Sequence, residues 1–140
     1  MSDIFRLMLA QLNPVVGDIA GNIAKARVAW EAGRDAGADM VALTEMFVTG
    51  YQTQDLILKP AFVAAAVAAV EALAADCAAG PALGIGGPVR LEGKLYNGYY
   101  VLEGGKVHAR ILKHHLPNDA VFDEKRVFAS ADVHGPYVVK

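Results

Sequence analysis

The chain has 140 residues, enough for one domain with a core or for part of a larger one. Hydrophobic residues make up 54% of it, and the formal net charge of −2 offers no basic patch for nucleic acid. A single cysteine excludes an intrachain disulfide, the longest apolar run (61–70) is too short to span a bilayer, and no leader peptide is visible, so a cytoplasmic protein with no membrane partner is expected.

Residues 5–12 (FRLMLAQL) are short and apolar and read as a buried strand, closed by Asn13-Pro14. Ile19, Ile23, Ala26, Trp30 and Gly33 then recur at helical spacing. They predict a helix over about 21–37, with Asp18 or Asn22 as its cap and Gly37 just past its end. Residues 39–43 form a second apolar strand. Strand, helix and strand make a βαβ unit and a parallel pair. Glu45 therefore stands at the carboxyl end of a buried strand, the edge where open α/β sheets bind ligands. A carboxylate there is costly unless it is paired or used. The plainer reading is a cap for the next helical turn, for which Glu is a weak choice.

Residues 52–59 read as a loop with one helical turn, and Pro60 suits a first helical position. An alanine-rich helix follows over 61–79, stopped by Gly80-Pro81. Cys77 lies in its last turn beside Asp76, at the negative end of the helix dipole; both disfavour a thiolate, so Cys77 reads as structural. Residues 82–90 form a strand with glycines where packing is close. Gly84, Gly86 and Gly87 do not make a phosphate loop, since no helix and no Lys-Ser/Thr follow. Residues 95–103 and 106–112 are two strands joined at Gly104-Gly105. Asn97-Gly98 is a competing turn signal, but it would leave strands too short to be useful. The four histidines have no ligand spacing, so no metal site is expected.

Residues 113–128 crowd acids, bases and two histidines directly behind a strand. Alone, such a loop reads as solvated charge; on a rigid scaffold it reads as a site. Residues 129–135 look irregular, and 137–140 open a further strand.

Glu45 after one strand and Lys113 after another form a pair that resembles the nitrilase, or carbon–nitrogen hydrolase, superfamily, which uses a Glu–Lys–Cys triad with each member following a strand. Residues 10–18 (AQLNPVVGD), 44–51 (TEMFVTGY) with Asp55-Leu56, Leu95-Tyr96-Asn97, Leu116-Pro117-Asn118 and 121–126 (VFDEKR) are similar to the glutaminase domain of glutamine-dependent NAD⁺ synthetases. The resemblance covers nearly the whole chain.

It implies an α/β fold that is part of an α-β-β-α sandwich: a mixed sheet with helices on one face. Residues 1–140 would be the first portion of the glutaminase domain, ending before the nucleophilic cysteine and before the synthetase domain; Cys77 matches no motif position. Glu45 would be the general base and Lys113 the oxyanion stabiliser. Glu124 would support the lysine, and Tyr51 and Asp119 would lie near the glutamine pocket. Asp119 departs from the aromatic residue often found at its position. No cofactor is implied for this portion, and ATP and Mg²⁺ would belong to the synthetase domain. The implied partners are glutamine, that further domain and other copies of the chain. Another amidase of the superfamily, or a non-catalytic interaction domain with half the fold, are the other readings. The uncovered sheet face is expected to expose apolar surface or to be buried by a partner.

Overall fold

A computed structural model describes residues 3–119 and 122–132. In chain order the elements are β1 (Leu7–Leu9), α1 (Ile19–Asp35), β2 (Met40–Ala42), α2 (Pro60–Asp76), β3 (Ala82–Leu91), β4 (Lys94–Glu103) and β5 (Lys106–Leu112). Short 3₁₀ turns cover Gln54–Leu58 and Glu124–Arg126. The strand expected beyond residue 136 lies outside the described residues, as does part of the irregular stretch before it.

The sheet has the order β1-β2-β3-β4-β5. β1, β2 and β3 run parallel, and β4 and β5 are added antiparallel, so the sheet is mixed. Each parallel step needs a crossover, and α1 and α2 supply the two. Both steps advance in the same direction along the sheet, so two right-handed crossovers place both helices on one face. The helices pack against each other there. They share one core with Val41, Leu83, Ile85, Tyr100 and Leu102.

Local chemistry sets the helix ends. Asp18 caps α1, its carboxylate accepting from the Gly21 N–H at 3.0 Å. Asn22, the other expected cap, lies inside the helix and is fully buried. Its side chain donates to the carbonyls of Val15 and Val48 and accepts from Val15 N–H, tying the loops after β1 and β2 together. At the far end Gly37 takes a φ of +73°. Its N–H bonds to Arg34 O and that of Ala38 to Gly33 O, the Schellman arrangement. α1 thus begins and ends two residues earlier than the expected span.

α2 starts at Pro60 as expected and ends at Asp76, three residues early, with Cys77 as the capping residue. β1 and β2 are three residues each, shorter than their apolar runs. At the start of β1, the Arg6 N–H turns to the Asp39 carboxylate at 2.7 Å. Both hairpins turn on two residues with positive φ: Glu92 and Gly93 (+50°, +76°) and Gly104 and Gly105 (+62°, +85°). Asn97-Gly98 lies mid-strand in β4.

The helix-free face follows from alternation along the strands. Met8 approaches Gly33 of α1, so Leu7 and Leu9 point the other way. Leu83 and Ile85 face the helical core, so Gly84 does not, and Tyr99 lies over it. Ile111 pairs with Tyr99 and shares that face. Leu7, Leu9 and Ile111 are exposed there, Leu9 to 75%. The expected apolar surface is present.

Candidate active site

Glu45 follows β2 in a tight turn that lies directly on β3. The turn continues the sheet's bonding: Leu43 N–H bonds Gly84 O, Gly86 N–H bonds Thr44 O, and Val48 N–H bonds Gly86 O. Gly86 has no side chain to hold this turn away from the strand; a Cβ there would sit 2.3 Å from Met46 N and 2.6 Å from Thr44 O. Met46 takes a φ of +49°, a left-handed conformation that costs a non-glycine residue about 1 kcal/mol. The buried Met46 side chain holds that turn in place.

Lys113 follows β5 and is fixed by its own backbone. Its N–H bonds Asn97 O at 2.9 Å, and its carbonyl accepts from Ala131 N–H at 3.2 Å. Its ammonium lies 2.8 Å from Glu45 Oε1 and 3.1 Å from Glu124 Oε2. Two carboxylates and one cation therefore meet at one end of the sheet, delivered by β2, by β5 and by the 3₁₀ turn at Glu124–Arg126.

Glu124 is only 3% exposed. Its backbone N–H bonds Pro117 O, and its carbonyl accepts from Val127 and Phe128. The Tyr51 hydroxyl donates to Glu124 Oε1, and Oε2 has the ion pair with Lys113 and no hydrogen bond of its own. Burial pushes the Tyr51 hydroxyl pKa up, and the bond to Glu124 pushes it further, so Tyr51 stays a donor. For Lys113, burial alone lowers the pKa. The hydrogen bonds and charges of Glu45 and Glu124 outweigh it, and the net shift is upward. Lys113 is a fixed cation at neutral pH.

Two further side chains complete the cluster. The Asn97 amide donates to Glu45 Oε1 at 2.6 Å, and the Tyr99 hydroxyl donates to Leu43 O at 2.8 Å, at the start of the Glu45 turn. Glu45, Asn97, Gly98, Tyr99, Ile111, Leu112 and Lys113 line an open cleft of about 340 Å³ on the helix-free face. A smaller pocket of about 50 Å³ lies beside Tyr51 and Glu124, with Thr53, Arg126 and Phe128 in its wall.

Of the residues named from the sequence, Glu45, Lys113, Glu124 and Tyr51 come together through direct contacts. Asp119 is exposed; its carbonyl accepts from Phe122 N–H, and the Phe122 ring lies 6.3 Å from that of Tyr51. Cys77 is elsewhere. It closes α2 just before β3 begins, at the opposite end of the parallel strands from Glu45, and burial pushes its thiol up to about 11. Among the described residues no group of three His, Cys, Asp or Glu is placed to hold a metal ion. None of their helices is long and apolar enough to cross a membrane. Asn97 was legible only as part of a motif. The available signal was an amide in the middle of an apolar strand, which must find a partner when buried.

Comparison with known proteins bears on the family and the fold of the chain. The chain is 62% identical over 136 residues to a glutamine-dependent NAD⁺ synthetase of Rhodobacter capsulatus, covering 97% of this chain and 25% of that protein. It is 33% identical to the Thermotoga maritima protein of the same name over 123 residues, 88% of this chain and 21% of that one. The chain thus spans about a quarter of the length of these curated relatives. A solved glutamine-dependent NAD⁺ synthetase from Cytophaga hutchinsonii superposes with a TM-score of 0.85 at 28% identity, covering 90% of this chain and 22% of that one. An amidase from Nesterenkonia sp. superposes at 0.81 with 21% identity over 97% of this chain and 51% of its own, a likeness of fold alone. The carbon–nitrogen hydrolase family model matches residues 6–139. With all but six residues of the chain inside that match, the chain belongs to the carbon–nitrogen hydrolase family.

Proposed function

We propose that residues 1–140 are the first portion of the glutamine-hydrolysing domain of a glutamine-dependent NAD⁺ synthetase. The observation that carries this is Lys113, held between Glu45 and Glu124 at the edge of the sheet. The identity with the Rhodobacter capsulatus protein supports the choice of subgroup.

In this reading a cysteine from outside these 140 residues supplies the nucleophile. Glu45 takes the thiol proton as sulfur attacks the carboxamide carbon of glutamine. The carbonyl oxygen becomes an oxyanion, and the Lys113 ammonium stands where that charge develops. Glu45 returns the proton to the leaving nitrogen, and ammonia departs. Glu45 then takes a proton from the water that opens the thioester, releasing glutamate and the thiol. Glu124 and Tyr51 keep Lys113 charged and aimed, and Asp119 borders the glutamine pocket. ATP and Mg²⁺ belong to the synthetase domain and not to residues of this chain. The uncovered apolar face fits a further layer of structure or a second copy, and the setting is cytoplasmic.

The test is a chimera in which this chain replaces the matching first quarter of the Rhodobacter capsulatus protein. It should form NAD⁺ with glutamine as nitrogen donor, and Glu45→Gln or Lys113→Met should abolish this while leaving synthesis from ammonium chloride intact. A chimera that uses ammonium but not glutamine would sink the proposal.

A further inference from the structure

Asn97 is bonded to both members of the Glu45–Lys113 pair. Its side-chain amide donates to Glu45 Oε1 at 2.6 Å. Its backbone carbonyl accepts from the Lys113 N–H at 2.9 Å. It is 3% exposed and sits mid-strand in β4, between β3 and β5. Glu45 is 52 residues away in sequence and Lys113 is 16, so one sheet position sets the distance between two groups that reach the cleft from different strands.

The choice of oxygen matters. Asn97 and Lys113 both bond Oε1 of Glu45. A carboxylate has two acceptor oxygens, and two donors on one of them fix the plane of the group while the other keeps its lone pairs. A side-chain amide is the apt donor here. It carries no charge to compete with Lys113 and cannot lose its proton, and a buried amide left without a partner would itself be costly. We propose that Asn97 is a positioning residue. It holds Glu45 against Lys113 through Oε1 and leaves Oε2 as the oxygen that accepts protons. The inference deepens the glutaminase reading and rests on it for the use of Oε2; the clamp itself is a property of this chain.

Three measurements test it. In the 140-residue chain, the Lys113 ammonium is titrated by ¹⁵N NMR. Asn97→Leu, similar in shape but without a donor, should move the Lys113 midpoint down toward that of Glu45→Gln, because Glu45 is no longer held against it. A purely structural role for Asn97 leaves that midpoint at the wild-type value, and this result overturns the proposal. If Asn97→Leu does not fold, the wild-type amide reports instead. In Glu45→Gln the Asn97 side-chain amide protons should shift upfield as a charge-assisted bond is lost, and unmoved resonances overturn the clamp. In the chimera, Asn97→Leu should lower the glutaminase kcat by about 10²-fold with KM little changed, since misplaced catalytic groups cost rate more than binding. An unchanged kcat overturns the catalytic role. A chimera silent with Asn97 in place instead counts against the glutaminase reading, and the two NMR results still decide the clamp.

Discussion

Gly86 lies directly beneath Glu45: a Cβ on Gly86 would stand 2.7 Å from the Glu45 carbonyl carbon. The turn carrying the carboxylate can touch β3 only because that strand has no side chain there. Gly86→Ala should push the turn off the strand, with a loss of about 2 kcal/mol in thermal or urea denaturation and most of the glutaminase activity in the chimera. Gly87→Ala is the control. Its Cβ would meet Val48 Cγ2 at 3.3 Å, a side chain that can yield, so the cost should be smaller. Equal effects at the two positions would count against this view of the turn.

Removing the cation should cost stability as well as activity. In Lys113→Met the buried Glu124 loses its charge partner, and an uncompensated buried charge costs about 3 kcal/mol. Lys113→Met should therefore lower Tm clearly, and Lys113→Met/Glu124→Gln should recover part of the loss. A double mutant no more stable than the single would show that the pair is not coupled.

Alkaline stability follows from the buried protonated groups. Burial pushes Cys77 from 9.0 to about 11 and Tyr99 and Tyr100 from 10.0 to about 12. Lys113 is raised above 10.5: burial opposes the shift, and the bonds to Glu45 and Glu124 outweigh it. In each case the folded state keeps a proton that the unfolded state releases earlier. Their contribution is whole below the ordinary values and fades as pH rises through the folded ones. Urea midpoints should fall progressively above about pH 9, and Cys77→Ala should soften the first part of that fall. A midpoint unchanged between pH 8 and pH 11 would refute the assignment.

Asn22 is the polar bolt of the loops. Asn22→Leu leaves the buried Val48 carbonyl and the Val15 N–H without their partner, while the Val15 carbonyl keeps the Asp18 N–H. An unmade buried bond costs about 1–3 kcal/mol, and of these only the one to Val48 is fully buried, so a loss of about 2 kcal/mol is expected. By contrast, Arg126→Ala breaks ion pairs to Asp55 and Asp123 between exposed groups, and should change stability by less than about 1 kcal/mol. Chemical denaturation of both variants checks the contrast.

The elements and their order were readable because each rests on local signals. Pro60, Gly37 and Gly104-Gly105 do in the structure what their conformational preferences dictate. The same local logic misplaced Asn22 and hid Asn97. Asn22 has cap chemistry and a cap-like position, but its partners are Val15 and Val48, and the second is 26 residues away. Asn97-Gly98 has the chemistry of a turn, yet its amide serves Glu45 across the sheet. Short polar side chains use the same groups for near and distant bonds, and sequence displays only the near ones. Glu45 and Lys113 were found because each closes a strand. That Lys113 is shared between two carboxylates depends on a fold-back to Glu124 that no periodicity records.

β1 has only three residues, and among the described residues only β2 pairs with it. Leu7 and Leu9 stand exposed along it. A chain that adds to this border gains backbone bonds and apolar cover in one step. In dilute solution the cost of ordering restrains such accretion, but concentration removes the restraint. The 140-residue chain should therefore scatter light increasingly as it is concentrated, and a lysine at Leu9 should keep it clear.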